Sequence, residues 1–184
     1  MLNWSNTLLT SLENGEPYPN LSSKFPDASV EEAYAAQKQF VSQLEQSKQW
    51  GDIAGFKAAV TAPQAQQAMG LKAGIVGVLF AKGAREADST LELDRPVLFE
   101  TEIGFVVGHT INTPVTVDNV ADYISGYMPV IELAAPNLTE RPNGIDLIAA
   151  NSASYGFIKG IQVTSKISAE IDTTQIRQQQ NDDE

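Results

Sequence analysis

"RPVLFETEIGFVVG", residues 95–108, has the β-branched and aromatic content of a strand, yet Glu100 and Glu102 interrupt it. Alternate side chains of a strand face opposite ways. Phe99, Thr101, Ile103, Phe105 and Val107 therefore share one face, and Glu100, Glu102, Gly104 and Val106 the other. The first face is apolar enough to pack in a core. The second sets two carboxylates about 7 Å apart, with Gly104 leaving space beside them. Such a face is either solvated or neutralised. A hard divalent cation (Mg²⁺, Mn²⁺ or Ca²⁺) is the neutraliser that carboxylate oxygens favour.

Two further stretches place charge in apolar surroundings. Glu132 stands in "YMPVIELA" (127–134), flanked by Val130, Ile131, Leu133 and Ala134. It either points to water from an edge strand or needs a partner. If its strand lies beside the first, three carboxylates converge on one cation. Lys57 is the single lysine of "IAGFKAAV" (53–60). It either snorkels from an edge strand or answers a carboxylate or a substrate anion, in which case it suits acid–base work. His109, the only histidine, follows the strand in "GHTINTP" and reads as an exposed turn residue. One histidine excludes a histidine-rich metal site. "GIVGVLF" and "GFIKG" match no phosphate loop. Ser152 and Ser154 lack a G-x-S-x-G context, so a serine hydrolase is unsupported, although both hydroxyls suit donation to an anion.

The chain-wide properties agree with a globular protein that handles a small molecule. The 184 residues suit one domain with a real core and carry a formal net charge of −11. That charge argues against nucleic acid, whose phosphates need a basic surface. No apolar run is long enough for a membrane span, and the N-terminus lacks the pattern of a signal peptide. The absence of cysteine excludes disulfides and thiolate chemistry and fits the cytoplasm.

Periodicity predicts helices first and strands afterwards, an α+β pattern. Trp4, Leu8, Leu9 and Leu12 form the apolar face of a short helix, and residues 14–28 a long loop. "SVEE" is a capping box, Ser29 with Glu32, opening a helix to about residue 47. Ala33, Ala36, Phe40, Val41 and Leu44 make its buried face, with Gln37, Lys38 and Gln39 solvated. A strand holding Lys57 leads to a short helix with Thr61 as N-cap, Pro63 in its first turn and Gly70 as its stop. "GIVGVLF" (74–80) is a strand or a tight approach to another group. A loop over 81–90, a helix over 117–125, a strand at 127–134 and a loop at 136–144 follow. "IDLIAANSA" is a short helix or turn, "YGFIKGIQV" a strand, and "KISAEI" (166–171) alternates weakly before a polar end. The expected organisation is a helical part over 1–50, a mixed β part carrying the carboxylates over 51–172, and a tail over 173–184.

The order of these pieces resembles the fumarylacetoacetate hydrolase superfamily, in its 2-oxopent-4-enoate hydratase and 4-oxalocrotonate decarboxylase branch. The stretches that carry the resemblance are "GFKAAVTAPQAQQAMG", "GVLF", "FETEIGFVVG", "PVIELA" and "NSASYGFIKG", within roughly residues 30–163. The resemblance implies a helical N-terminal part followed by a mixed β roll. It implies Glu100, Glu102 and Glu132 as ligands of Mg²⁺ or Mn²⁺, Lys57 as the catalytic lysine and Ser154 as a substrate-contacting hydroxyl. It further implies a 2-oxo acid that chelates the metal, a dienolate stabilised by Lewis acidity, and Lys57 moving protons. Hydration of the dienoic acid and decarboxylation both use that dienolate, within the breakdown of aromatic compounds. The branch that cleaves C–C bonds uses a histidine upstream of the E-x-E strand, and this chain has none there. Members of the superfamily run well past the "GFIKG" strand, whereas this chain turns polar after Ile171. That leaves a β roll short at the C-terminus. It favours a homo-oligomer or association with a related subunit, and it keeps a non-catalytic partner subunit as an alternative.

Overall fold

The computed structural model of the protein describes residues 4–88 and 90–161. The expected alternation of residues 166–171 and the polar tail over 173–184 lie outside them. The chain divides into two units. One takes in the chain up to Ala84 together with Leu91–Leu98 and Leu133–Gly156. The other takes in Arg85–Thr90, Phe99–Glu132 and the chain from Phe157 onward.

The first unit begins with helix α1 (Trp4–Asn14), which buries Trp4 and Leu8 as its apolar spacing predicts. The loop expected over 14–28 contains a one-turn helix, α2 (Leu21–Lys24), anchored by the fully buried Leu21. Helix α3 (Val30–Ser47) starts at the predicted capping box. The Ser29 hydroxyl accepts from the Glu32 amide, and Glu32 accepts from the Ser29 amide. Its five predicted apolar positions are all buried. Gln37 is buried as well, contrary to expectation, because its Nε2 donates to the Val76 carbonyl at 2.8 Å. That bond ties α3 to the strand pair that follows.

Strands β1 (Ile53–Ala59) and β2 (Ile75–Phe80) form a two-stranded antiparallel sheet. Helix α4 (Pro63–Ala68) lies between them in sequence. Its N-terminal flank is Ala62 rather than Thr61 and has no side-chain cap; Pro63, with its fixed φ, starts the helix instead. A 3-10 turn at Ala81–Gly83 leads into the two-residue strand β3 (Ala84–Arg85). After the second unit's strands, the chain contributes helix α5 (Gly144–Ala149), capped by the Asn143 side chain. Asp146 is almost fully buried. It accepts from the Asn143 amide, the Ser22 amide and hydroxyl, and Asn20 Nδ2, all at 2.8–3.1 Å. Several donors on one carboxylate compensate its loss of water and fasten residues 20–22 to α5. Residues 18 and 138 form an isolated parallel bridge, and Tyr18 packs edge-on against Phe40. Burial pushes the Tyr18 phenol up to about 12. Further along, both Arg95 contacts hold Asp94 at 2.9 Å and bring its carboxyl down to about 2, helped by the Tyr155 hydroxyl.

The second unit is built on β4 (Leu98–Val107) and β5 (Ile124–Ala134). A final strand, β6 (Ser154–Lys159), completes a four-stranded sheet in the order β3-β6-β5-β4. The helix expected over 117–125 is absent. Only a 3-10 turn at Val120–Tyr123 forms, and β5 already begins at Ile124. Asn119 explains this. Its side chain accepts from the Thr116 amide and donates to the Pro114 carbonyl, capturing the backbone in a turn. The apolar face of β4 is a second departure. Phe99, Phe105 and Val107 are 48, 49 and 56% exposed, so that face is not packed in a core.

Candidate functional site

The three glutamates predicted as ligands come together within the second unit. Two glycines show how. A Cβ on Gly108 would stand 2.7 Å from the Ser125 Cβ, and one on Gly104 would stand 2.5 Å from Val130 Cγ2. Moving back along β4 thus moves forward along β5, so the two strands run antiparallel. Glu102 lies two residues from Gly104 on its face of β4, and Glu132 two residues from Val130 on its face of β5. The pairing therefore carries Glu102 to Glu132, with Glu100 next on the same face. Val130 occupies the space beside the carboxylates that Gly104 was expected to leave open.

The geometry suits one cation. One carboxylate oxygen from each of Glu100, Glu102 and Glu132 lies within 4.8 Å of the others. Two oxygens on opposite sides of a single Mg²⁺ or Ca²⁺ are about 4–5 Å apart. Exposure falls along the set: Glu100 is exposed, Glu102 half-buried, and Glu132 retains 1% of its surface. Burying a carboxylate so completely beside two others costs several kcal/mol unless positive charge compensates it. Three carboxylates with no nitrogen or sulfur donor favour a hard ion. On these grounds the residues fit Mg²⁺, Mn²⁺ or Ca²⁺.

In the first unit, Lys57 and Ser154 come together around Gly77. Lys57 retains only 7% of its surface, so it does not snorkel to solvent as the sequence allowed. It pairs with Gly77 across the β1–β2 ladder, and directly opposed residues point to the same face. A Cβ on Gly77 would stand 2.6 Å from Ser154 Oγ. Ser154 thus fills the place a Gly77 side chain would occupy, beside Lys57. Its Oγ is buried and has no hydrogen bond among the described residues.

The segment before Ser154 is under backbone strain. Asn151, Ser152 and Ala153 have φ of 59, 53 and 60°, three consecutive left-handed residues of which none is glycine. Each such residue costs on the order of 1 kcal/mol or more, and such strain gathers at functional sites. Side chains hold the turn in place. Asn151 Oδ1 accepts from the Val78 amide at 2.8 Å and its Nδ2 donates to the Val78 carbonyl at 2.9 Å. The Ser152 hydroxyl donates to the Val76 carbonyl at 2.9 Å and is therefore committed to β2 rather than to a ligand. Asn151 and Ser152 flank Gly77 and set Ser154 over it. The sequence offered a signal for Gly77, a glycine inside a strand pattern, but none for the roles of Asn151 and Ser152. His109 is exposed, as expected, and leans on Tyr123 with ring centroids 5.0 Å apart.

No protein-family model matches the chain. It is 26% identical over 159 residues to the 2-keto-4-pentenoate hydratase of Paraburkholderia xenovorans (strain LB400). The same identity and length hold for 2-keto-4-pentenoate hydratase 3 of Pseudomonas putida. Each match takes in 84% of this chain and 58% of the relative. The fold is similar to that of 4-oxalocrotonate decarboxylase from Pseudomonas putida G7. Its complex with magnesium and adipate gives a TM-score of 0.78 at 20% identity, over 89% of this chain and 63% of that one. Its complex with calcium and acetate gives 0.77 at 21%, over 89% and 62%. The chain spans less than two thirds of the length of these proteins. The matches bear out the resemblance read from the sequence, to the hydratase and decarboxylase branch of the fumarylacetoacetate hydrolase superfamily, and the α+β fold expected from it.

Proposed function

We propose that this chain is a divalent-metal-dependent lyase of an unsaturated 2-oxo acid, acting as a hydratase of a 2-hydroxypenta-2,4-dienoate-like substrate. The observation that carries this reading is the convergence of Glu100, Glu102 and Glu132, with Glu132 withdrawn from water. Those three carboxylates would hold Mg²⁺ or Mn²⁺. When bound, such an ion supplies Lewis acidity to the adjacent carboxylate and keto oxygens of a 2-oxo acid. Lys57, buried on β1, carries the proton at Nζ. Ser154, whose Oγ has no hydrogen bond among the described residues, offers the substrate a donor. The elements of water add across the distal double bond and give a 4-hydroxy-2-oxo acid. A β roll of the superfamily's type belongs to the same reading.

Decarboxylation of a 4-oxalocrotonate-like acid is the second reading, favoured by the fold likeness to a 4-oxalocrotonate decarboxylase. A partner subunit without turnover is the third. One assay separates them. The chain is incubated with the dienol and Mg²⁺, and ultraviolet absorbance and released CO₂ are followed together. Hydration removes the dienol absorbance without CO₂, and decarboxylation of the corresponding dioic acid releases it. No change with either substrate, in a chain that still binds Mg²⁺, identifies the partner subunit.

A further inference from the structure

Strand β2 has β1 on one side, where Gly77 pairs with Lys57. Val76 and Val78 turn their amides and carbonyls to the other side, as alternate residues of a strand do. No strand lies there among the described residues. Backbone groups need partners, and side chains supply them. The Val76 amide donates to the Tyr34 hydroxyl at 3.0 Å. The Val76 carbonyl accepts twice, from Gln37 Nε2 at 2.8 Å and from the Ser152 hydroxyl at 2.9 Å. Val78 depends on a single residue. Asn151 accepts from its amide at 2.8 Å and donates to its carbonyl at 2.9 Å, the exchange that a paired strand residue would make. If Ser152 lets go, Val76 keeps Gln37; if Asn151 lets go, both groups of Val78 lose their partner on that side.

The segment that Asn151 opens needs such a hold. Its three consecutive left-handed residues persist only where their surroundings fix them. The turn lies against bare Gly77: a Cβ there would stand 3.0 Å from the Asn151 carbonyl, 3.1 Å from the Ser152 Cβ and 2.6 Å from Ser154 Oγ. Released from Val78, the turn is free to relax away from β2 and to carry Ser154 with it.

We propose that Asn151 is a positioning residue for the reaction. Its amide, locked on both backbone groups of Val78, holds the strained turn so that the Ser154 hydroxyl stays over Gly77, beside Lys57. Asn151 acts through Ser154 and touches no substrate. The placement rests on the first unit's geometry, and only its consequence for turnover rests on the proposed function.

The chain has no cysteine, so Ser154→Cys carries a single thiol at the position in question. Its reaction with methyl methanethiosulfonate, a small neutral reagent, should be slow in the folded chain. Adding Asn151→Gly removes the side chain and keeps the left-handed backbone accessible, so the fold should persist. The thiol should then react about tenfold faster or more, the effect of two lost hydrogen bonds on local opening. Adding Asn151→Asp should free it likewise near neutral pH, where a carboxylate oxygen opposes the Val78 carbonyl. Relative to Ser154→Cys alone at the same pH, protection should return as the solution is acidified. The protonated acid donates to that carbonyl and accepts from the Val78 amide, as the native amide does. Ser29→Ala removes the cap of α3 and controls for a general loss of stability; it should leave the thiol protected. With Ser154 in place, Asn151→Gly should lower kcat about tenfold and leave Mg²⁺ affinity unchanged. A thiol whose rate is the same with and without the Asn151 side chain overturns the proposal. So does a thiol freed as much by Ser29→Ala, or a freed thiol with unchanged kcat. If the unaltered chain turns over neither acid, the proposed function fails, and the thiol rates alone decide the positioning.

Discussion

Glu132 and Gly77 show what single residues contribute. Glu132 was conspicuous in the sequence as a carboxylate in an apolar strand, and the structure buries it beside Glu100 and Glu102. Its convergence with the E-x-E pair is expected from the family order; the strand pairing that brings them together depends on contacts distant in sequence. Gly77 was visible only as a glycine in a strand. Its function is to lack a side chain: Gly77→Ala places a Cβ 2.6 Å from Ser154 Oγ and 3.0 Å from the Asn151 carbonyl. The Ser154 hydroxyl would have to turn away, and the Asn151 carbonyl cannot, since its side chain is tied to Val78 and the turn is strained. Overpacking of this kind costs about 1–3 kcal/mol, and urea unfolding of Gly77→Ala should show it. If the variant unfolds like the unaltered chain, the placement of Ser154 over Gly77 is wrong. Tyr18 gives a pH test. Burial raises its folded pKa to about 12, above the unfolded value of 10.0. Its phenol is neutral in both states below pH 10, so no stability is lost there. Between pH 10 and 12 the unfolded state ionises first, and stability falls. Tyr18→Phe should flatten that fall, read as the pH dependence of the urea midpoint.

Elements were legible where their signals are local. The capping box of α3, its five apolar positions and the Lys57 strand follow from adjacent residues, and each appears as read. Phe40 lies at the centre of α3's buried face with 1% exposure and packs on Tyr18. Phe40→Ala should lower unfolding free energy by about 3–5 kcal/mol, measured by denaturant titration. A loss below 1 kcal/mol would mean that this helix does not anchor the first unit's core. Gln37 was misread because the helical pattern places it beside the apolar stripe but cannot show the Val76 carbonyl that it serves. The expected helix over 117–125 fails for a local reason that the sequence did contain. Asn119 binds its neighbours' backbone, and the β-branched Val115, Thr116, Val117 and Val120 do not offset that preference. The face of β4 was misjudged differently: alternation identifies an apolar face but not what covers it.

For the whole molecule, the comparisons cover part of each relative. The chain matches 58% of each hydratase and 62–63% of the decarboxylase chains. Within that part lie the three converging carboxylates, the buried lysine and the buried serine hydroxyl. No helix among the described residues is long and apolar enough to cross a membrane. The order of motifs along the chain conveyed the fold because spacing fixes which strands carry which residues. Pairing across strands, and the strained turn that seats Ser154, depend on contacts distant in sequence and were not legible there. Glu100, Glu102 and Glu132 are proposed to form one cation site. Isothermal titration with Mg²⁺ tests it without any substrate. One ion should bind per chain, with binding lost or weakened at least tenfold in Glu102→Gln and in Glu132→Gln. Binding that both variants retain unchanged, or no binding by the unaltered chain at millimolar Mg²⁺, would contradict it.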